Sequence, residues 1–263
     1  MVLKDIKSYV KELKESYKIR VAALNEPPSL AIVQVGDNEA SNRYVRNKIK
    51  DCEEVGIVAH VYAYPENTTE WELDDELTGL LDFYDGIIVQ LPLPPHIRSS
   101  IATAAIPAHK DVDGFRIDSE FEPATPKGIM DYLKYCEFDL TGKDVVIIGR
   151  SDIVGKPLAH MMTDADATVT LCHSKSKLSS HIYHCDLIIS AVGKAGFLNC
   201  YPIHVPVIDV GINFNEQGKL VGDCTNTEGR DVTPVPGGVG LLTRAALLDN
   251  VIRAREMREM KHG

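Results

Sequence analysis

The stretch from Ser41 to Glu54 has the residue types and spacing that point most directly to chemistry. A helix turning by about 100° per residue would place its apolar residues and one lysine on one side, and most of its charged residues on the other. The inward residues are Ser41, Tyr44, Val45, Lys48, Ile49 and Cys52, and the outward ones are Arg43, Arg46, Lys50, Glu53 and Glu54. A buried ammonium is costly unless it is paired or serves a reaction, so Lys48 beside Tyr44 is a candidate catalytic group. The alternative is a lysine whose stem packs while its ammonium reaches solvent.

Two more candidates follow a short apolar strand. Gln90 stands at the carboxyl end of the predicted strand GIIVQL, where ligands collect in open α/β sheets. Asp113 belongs to the stretch Lys110 to Gly114, which places two carboxylates before a glycine. Gln90 could instead cap free backbone groups, and the aspartates could simply form a turn.

A second site is predicted after the strand Asp144 to Ile148, where Gly149 is followed by a polar turn and the start of a helix. This order lets backbone approach a phosphate and directs helix N–H groups at it. The spacing departs from the usual glycine pattern, because Ser151 replaces the second glycine and Gly155 comes one residue late. A plain strand-to-helix connection therefore remains the alternative.

The next strand, ATVTLC, ends at His173 and Ser174. A site that prefers NAD usually has an acidic residue here for the ribose 2′-hydroxyl, and this sequence has none. Arg150, Ser174 and Lys175 offer cationic and hydroxyl donors, which favour a 2′-phosphate and hence NADP.

A proline- and glycine-rich stretch, Thr233 to Gly240, comes before the last predicted helix. Such a composition fixes the backbone and permits close approach, as a ligand-contacting loop requires. A rigid connector is the alternative reading of the same residues.

Composition and charge limit the class of protein. The 263 residues, 44% hydrophobic and 25% charged, are ordinary for a globular protein of one large or two modest domains. A net charge of −10 argues against nucleic acid and anionic membranes as partners. The N-terminus lacks an apolar signal core and no long apolar run occurs, so we expect a cytoplasmic protein. The six cysteines are dispersed without a C-x-x-C pair, so we expect reduced thiols and no metal site.

Strand and helix patterns alternate along the whole chain, which predicts an α/β fold with mainly parallel sheets. Predicted strands are 29–35, 57–63, 86–91, 145–148, 167–172, 187–190 and 207–210; predicted helices are 3–24, 41–54, 69–81, 128–135, 154–162, 177–183 and 245–260. The pattern loosens between His109 and Pro126, where we place a domain boundary.

Several stretches together resemble the FolD family of bifunctional methylenetetrahydrofolate dehydrogenase/cyclohydrolases. The matching stretches, which occur in the family's order over nearly the whole chain, are VGDNEASNRYVRNKIKDCEEVGI, GIIVQLPLP, KDVDG, TPKGIM, GRSDIVGKP, ATVTLCHSKS, VIDVGIN and TPVPGGVG. Departures are the connector Asp118 to Pro123 and Leu241, where the family commonly has proline.

The resemblance implies two α/β domains with the active site in the cleft between them. Residues 1–125 would bind folate, with a last helix, 243–263, packing back on them, and residues 126–242 would form a Rossmann-type NADP domain. The implied reactions are oxidation of 5,10-methylenetetrahydrofolate by NADP⁺ and hydrolysis of the methenyl product to 10-formyltetrahydrofolate. A homodimer formed through the NADP domains is also implied.

The resemblance also assigns residue roles by position. Lys48 would be the catalytic lysine, Tyr44 its substrate-stacking partner, Gln90 the amide that tunes the lysine, and Asp113 the pterin anchor. The folate site would further include Val89, Leu91, Pro236, Gly237, Gly238, Val239 and Gly240. The NADP contacts would be Gly149, Arg150, Ser151, Ile153, Val154, Gly155, His173, Ser174, Ala191, Val192, Gly193 and Ile212, with Arg150 and Ser174 on the 2′-phosphate.

Two alternative functions remain open from the sequence. One is an enzyme with dehydrogenase activity only, in which the methenyl product would accumulate without decay. The other is a non-catalytic NADP-binding protein on the same scaffold, which would form no NADPH from the folate substrate.

Overall fold

Strands and helices alternate along the chain and form two units, each built on its own parallel sheet. The computed structural model describes residues 2–199, 201, 202 and 204–262. The three-stranded unit comprises Glu12–Ala124 and the residues from Arg244 onward. The four-stranded unit comprises the residues up to Lys11 together with Thr125–Thr243.

The sheet of the three-stranded unit has the order β2-β1-β3, with all neighbours parallel. Its strands are β1 (Ser29–Val35), β2 (Val58–Tyr64) and β3 (Gly86–Val89). The apolar run of β1 is buried because this strand is paired on both edges. Four helices accompany the sheet in the chain: α1 (Ile6–Ala22), α2 (Glu39–Val55), α3 (Glu70–Leu80) and α4 (Ser99–Ala104).

Local capping sets the ends of the helix that carries Lys48. Helix α2 begins after Asn38, whose side chain accepts a hydrogen bond from the backbone N–H of Ser41. It ends at Gly56, which adopts a left-handed conformation with φ of 88°. Helix α3 begins with a complete capping box between Thr69 and Glu72.

The sheet of the four-stranded unit has the order β5-β4-β6-β7, again all parallel. Its strands are β4 (Asp144–Ile148), β5 (Thr168–Cys172), β6 (Leu187–Ser190) and β7 (Val207–Asp209). Because β5 and β6 lie on opposite sides of β4, the strand order reverses at β4, and the carboxyl end of this strand is the expected ligand position. The remaining elements are α5 (Ala124–Tyr135), α6 (Gly155–Asp164), α7 (Ser179–Ile182), the hairpin strands β8 (Asn213–Phe214) and β9 (Leu220–Val221), and α8 (Val239–His262).

Apart from the start of the last helix, the structure confirms the predicted strands and helices to within a few residues, and it adds three elements that the periodicity did not indicate. These are α4, β8 and β9, which are too short to show a period in the sequence. Helix α8 begins at Val239, well before the predicted start, so Val239 and Gly240 of the predicted ligand loop are helical.

Hydrogen bonds of Leu3 and Lys4 attach the N-terminal residues to the four-stranded unit, with which they group. The backbone N–H of Leu3 donates to the Asp231 carboxylate, and the Tyr132 hydroxyl donates to the carbonyl of Lys4. The first eleven residues therefore belong to a different unit from Glu12–Ala124, which follow them in the chain.

None of the helices in the described ranges is long and apolar enough to cross a lipid bilayer. Among the same residues, no group of three His, Cys, Asp or Glu side chains could hold a metal ion. Cys52, Cys136, Cys172, Cys185 and Cys224 are free thiols and buried, and Cys200 lies outside the described residues. Burial raises the pKa of the Cys52 thiol to about 12.

Two helical glycines give a matched test of the packing. A Cβ at Gly128 in α5 would lie 2.7 Å from the backbone of Leu242, whereas a Cβ at Gly79 in α3 would meet no atom within 4 Å. We expect Gly128→Ala to lower the free energy of unfolding by roughly 1–3 kcal/mol through overpacking. We expect Gly79→Ala to leave it unchanged or to raise it by up to about 1 kcal/mol. Urea denaturation followed by circular dichroism measures both; equal effects would contradict the close approach of α5 and Leu242.

Candidate active site

The structure confirms the inward face that the sequence predicts for α2. Ser41, Val45, Lys48 and Cys52 are buried and Tyr44 is half-buried, whereas the outward charged residues are exposed. Lys48 thus lies on the packed side of the helix, one turn after Tyr44. The side chain is only 8% exposed, which favours an ammonium held largely within the protein over one that extends into solvent.

The Lys48 ammonium faces a single carboxylate without bonding to it. Lys48 Nζ lies 4.0 Å from Asp113 Oδ2, which is too long for a hydrogen bond. Within the ranges that the structure describes, Lys48 Nζ makes no hydrogen bond, and the Asp113 carboxylate accepts none from a protein donor. A buried pair with its hydrogen-bonding capacity unused is costly, which is typical of groups that bind a ligand.

The backbone around Asp113 is held in place by the neighbouring segments. Gly114 has φ of 69°, and a Cβ there would lie 2.6 Å from the nitrogen of Pro123, so only glycine fits. The N–H of Ala124 donates to the carbonyl of Asp113 at 3.1 Å. The Asn250 side chain of α8 donates to the carbonyl of Val112 at 2.9 Å. The two interpretations of this stretch, a simple turn and a functional carboxylate, are therefore compatible, because the turn positions the Asp113 carboxylate.

The electrostatics at Asp113 follow from its burial. Burial raises the pKa of the Asp113 carboxyl above its ordinary value, while the charge of Lys48 acts in the opposite direction. The nearby Asp111 carboxylate adds to the increase. Burial therefore makes protonation of Asp113 easier than in water, whereas the neighbouring Lys48 cation favours the ionised carboxylate.

Gln90 follows β3, where its backbone N–H donates to the carbonyl of Val33 at 2.8 Å. Its side-chain Nε2 donates to the carbonyl of Leu91 at 2.8 Å. The other amide atom, Oε1, is buried without a hydrogen-bond partner in the described part of the chain. Buried acceptors are rarely left unpaired, so this oxygen is available to a donor from a ligand.

Sequence reasoning missed three charged residues near this face. Asp51, one turn after Lys48 on α2, pairs with Lys14 of α1 at 2.6 Å and with Arg244 of α8 at 2.9 Å. Burial raises the pKa of the Tyr44 phenol, and the positive charge of Arg244 opposes this increase. The sequence did show charged residues, Lys14 and Arg244, within the apolar faces of α1 and α8. No local pattern could show that both pair with Asp51, because the three residues lie far apart in the chain.

In the four-stranded unit, two glycines form a close junction between β4 and α6. Gly149 has φ of 115°, and a Cβ on it would lie 2.2 Å from the carbonyl oxygen of Ala191. A Cβ on Gly155, the first residue of α6, would lie 1.9 Å from the carbonyl oxygen of Gly149. The strand end, the helix N-terminus and the residue after β6 are thus packed without room for side chains, as a cradle for a dinucleotide phosphate requires.

The residues around this junction supply donors that suit a phosphate. Ile148 at the end of β4 pairs with Cys172 at the end of β5, so Arg150 and Ser174 each follow the end of their own strand by two residues. The Ser151 hydroxyl accepts hydrogen bonds from Val154 N at 3.2 Å and Gly155 N at 3.4 Å. The other predicted cofactor residues at these strand ends are exposed: Ile153, His173, Val192, Gly193 and Ile212. Glycines, hydroxyls and a guanidinium fit a 2′-phosphorylated dinucleotide, and the Asp152 carboxylate in the same turn is paired with Lys156.

The predicted folate residues fall in both units. Val89, Gln90 and Leu91 belong to the three-stranded unit, and Pro236 to Gly240 belong to the four-stranded unit. In the second group a Cβ on Gly238 would lie 2.2 Å from the carbonyl oxygen of Pro234, so the backbone folds closely on itself. The structure thus brings Lys48 and Asp113 together beside Tyr44, and it separately groups the cofactor residues at the ends of β4, β5, β6 and β7.

A parallel sheet with a glycine-lined cradle where its strand order reverses, together with a second unit that holds a buried lysine, defines an NAD(P)-dependent dehydrogenase of two domains. Two family models agree: the tetrahydrofolate dehydrogenase/cyclohydrolase catalytic domain matches residues 4–113, and the NAD(P)-binding domain of the same family matches residues 123–259. The chain belongs to the tetrahydrofolate dehydrogenase/cyclohydrolase family, the FolD family.

Individual relatives give the same result over the full length. The bifunctional protein FolD of Campylobacter jejuni is 44% identical, covering 98% of this chain and 99% of its own. The crystal structure of a Campylobacter jejuni FolD superposes with a TM-score of 0.92 at 43% identity, covering 97% of this chain and 98% of its own. The Trypanosoma brucei enzyme, whose structure is complexed with NADP cofactor and inhibitor, gives a TM-score of 0.91 at 29% identity, with 98% of each chain covered.

Proposed function

We propose that this chain oxidises 5,10-methylenetetrahydrofolate with NADP⁺ and hydrolyses the resulting 5,10-methenyl cation to 10-formyltetrahydrofolate, as a bifunctional enzyme of one-carbon metabolism. The observation that carries the proposal is the buried Lys48 ammonium, which has no hydrogen bond in the described ranges and faces Asp113 at 4.0 Å. A buried ammonium is costly unless it is paired or serves a reaction, and this one has no hydrogen bond to offset its burial.

Lys48 is the group that moves protons in the hydrolysis. Water adds to the methenyl carbon and loses a proton; one ring carbon–nitrogen bond then breaks as its nitrogen takes a proton, and the remaining hydroxyl proton leaves as the formyl carbonyl forms. In its neutral amine form Lys48 can accept the first proton, and as the resulting ammonium it can return that proton to the ring nitrogen. Tyr44, one turn away on the same face, presents a half-buried ring on which a flat substrate can stack.

Asp113 and Gln90 orient the substrate in this proposal. The Asp113 carboxylate is an acceptor for the N–H groups of a pterin ring, and its charge holds the Lys48 ammonium toward the same ligand. The unpaired Gln90 Oε1 can accept a hydrogen bond from Lys48 or from the substrate. Val89, Leu91 and Pro236 to Gly240 would contribute further substrate contacts through backbone shape.

NADP⁺, when bound, accepts the hydride that leaves the methylene carbon of the substrate. Gly149 and Gly155 would leave room for its pyrophosphate, and Ser151 would donate a hydroxyl beside it. Arg150 and Ser174 would hold the 2′-phosphate. His173, Ile153, Val154, Ala191, Val192, Gly193 and Ile212 would complete the contacts.

We further propose that residues 1–125 with the last helix, 243–263, form the catalytic domain and that residues 126–242 form the NADP-binding domain. The separate parallel sheets and the catalytic-domain match to residues 4–113 support this division, and the last helix from Arg244 onward groups with the three-stranded unit. Two observations differ from it: the residues up to Lys11 group with the four-stranded unit, and the NAD(P)-binding model extends to residue 259.

A cytoplasmic homodimer is the proposed form of the enzyme. Free buried thiols support a reducing compartment. Exposed large apolar side chains on the four-stranded unit, Tyr183, Phe197 and Phe214, support association through that unit. Sedimentation equilibrium of the purified protein should give twice the chain mass; a single-chain mass at micromolar concentration would contradict the dimer.

The function is tested by one assay that follows NADPH and methenyltetrahydrofolate together. We expect NADPH to form while the methenyl product stays low because it is hydrolysed. Accumulation of methenyltetrahydrofolate without decay would replace the proposal by a dehydrogenase-only enzyme. Absence of NADPH at any enzyme concentration would leave a non-catalytic NADP-binding protein.

Lys48→Met tests the proton-transfer role, and Lys50→Met on the exposed side of α2 is the matched control. We expect Lys48→Met to lower cyclohydrolase turnover by about 10² or more while NADP⁺ binding, measured by calorimetry, survives. Lys50→Met should retain both. Near-normal hydrolysis by Lys48→Met would exclude the assigned role.

Arg150→Ala tests the cofactor preference. We expect the unmutated protein to use NADP⁺ over NAD⁺, and the substitution to narrow the ratio of kcat/KM values about tenfold, because a charged hydrogen bond to the 2′-phosphate is lost. Lys156→Ala, which removes an exposed cation paired with Asp152, should leave the ratio unchanged. Equal efficiency with both cofactors in the unmutated protein would refute the assignment of Arg150 and Ser174.

A further inference from the structure

Asp223, just after β9, carries the most heavily hydrogen-bonded carboxylate outside the residues assigned so far. Asp223 is fully buried, and each hydrogen bond of its carboxylate is donated by another residue. One group of donors belongs to the end of β6 and the loop that follows: Ser190 Oγ at 2.9 Å and the backbone N–H groups of Val192 at 2.8 Å, Gly193 at 3.4 Å and Lys194 at 2.8 Å. The other donor, at 3.1 Å, is the side-chain amide of Asn213, in the segment that follows β7.

A second buried aspartate fixes the position of the first. Asp209 at the end of β7 accepts hydrogen bonds from the backbone N–H groups of Gly211, Asp223 and Cys224. Two glycines make room for the pair: a Cβ at Gly211 would lie 2.2 Å from Asp223 Oδ1, and a Cβ at Gly222 would lie 2.1 Å from Asp209 Oδ2. The backbone and the side chain of Asp223 are therefore both determined by local contacts.

The successive N–H groups of Val192, Gly193 and Lys194 point at one oxygen-bearing group, an arrangement that elsewhere binds anions. Here the protein's own carboxylate occupies it, so these N–H groups are not available for a phosphate. The carboxylate sets the shape of the loop after β6 and ties it to the segment after β7. Each of the two segments presents an exposed apolar side chain, Val192 at 36% and Ile212 at 49% exposure.

The strand order indicates which part of the cofactor these segments would face. Arg150 and Ser174, which suit the 2′-phosphate, follow β4 and β5, whereas the segments held by Asp223 follow β6 and β7 on the other side of β4. A dinucleotide that lies across the strand ends with its adenosine half near β5 places its other half near β6 and β7. An apolar surface there suits the face of a flat ring.

We infer that Asp223 is a positioning residue for NADP⁺: its carboxylate joins the loop after β6 to the segment after β7, so that the two form one surface for the nicotinamide half. This inference rests on the proposed function. It has a specific consequence, since the loss of Asp223 should weaken the use of NADP⁺ and NAD⁺ by the same factor. The preference between the two cofactors, which depends on Arg150 and Ser174, should remain.

Asp223→Asn tests the inference, because the asparagine side chain has the same size but replaces one acceptor oxygen by an NH2 group. That group cannot accept the hydrogen bonds that the surrounding groups donate. We expect the KM for NADP⁺ to rise about tenfold or more, the KM for NAD⁺ to rise by a similar factor, and the KM for the folate substrate to change less than twofold. Amide hydrogen exchange of residues 192–194 in the cofactor-free protein should become faster. Ser190→Ala and Asn213→Ala each remove one donor and should give smaller shifts in the same direction, and they serve if Asp223→Asn does not fold.

Asp186→Asn is the matched control, because it is the same substitution in the same unit at a carboxylate that accepts from Asp144 N at 3.0 Å, at the amino ends of β4 and β6 rather than after these strands, without touching Asp209 or Asp223. It should leave both cofactor KM values within twofold. Unchanged cofactor KM values in Asp223→Asn with accelerated exchange at 192–194 would overturn the positioning role. Equal effects of Asp186→Asn, or a changed NADP⁺ to NAD⁺ preference in Asp223→Asn, would also overturn it. Failure of the unmutated protein to bind NADP⁺ in calorimetry would instead contradict the proposed function, and the exchange data would still report whether Asp223 holds the loop.

Discussion

The buried ammonium of Lys48 is the constraint to which the three-stranded unit is adapted. Removing a charge from water is costly, and the carboxylate 4.0 Å away offsets only part of that cost because it makes no hydrogen bond to the ammonium. The surrounding structure accommodates this pair through the caps of α2, the glycine turn at Gly114 and the Asn250 contact from α8. Each of these contacts positions one of the two charged groups without satisfying it.

The two units use buried aspartates in opposite ways. The Asp113 carboxylate accepts no hydrogen bond from the described protein donors, whereas the Asp223 carboxylate accepts from one hydroxyl, one side-chain amide and three backbone N–H groups. A saturated carboxylate holds backbone in place, because all of its acceptor capacity is spent within the protein. An unsaturated one retains that capacity for a ligand. This difference in hydrogen bonding is the basis for the two proposed roles, Asp223 as a residue that shapes a site and Asp113 as one that contacts substrate.

Much of the fold was predictable because its information is local. The inward face of α2 follows from helical period, the buried strands from continuous apolar runs, and the start of α3 from the capping residues Thr69 and Glu72. The elements that escaped prediction are α4, β8 and β9, which are too short to carry a period. The early start of α8 was hidden by the prolines and glycines before Val239, which read as loop although the last residues of the stretch are helical.

The sequence by itself determined the parallel α/β architecture, the inward position of Lys48 on its helix, and the family through motifs in a fixed order. Only the tertiary structure decided which distant groups meet: Asp113 with Lys48, Arg244 with Asp51, and Asp223 with the loop after β6. The physical reason is that helical and strand periods act over a few residues, whereas a buried charge is stabilised or left unsatisfied by groups from separate parts of the chain. No local pattern encodes the distance between such groups.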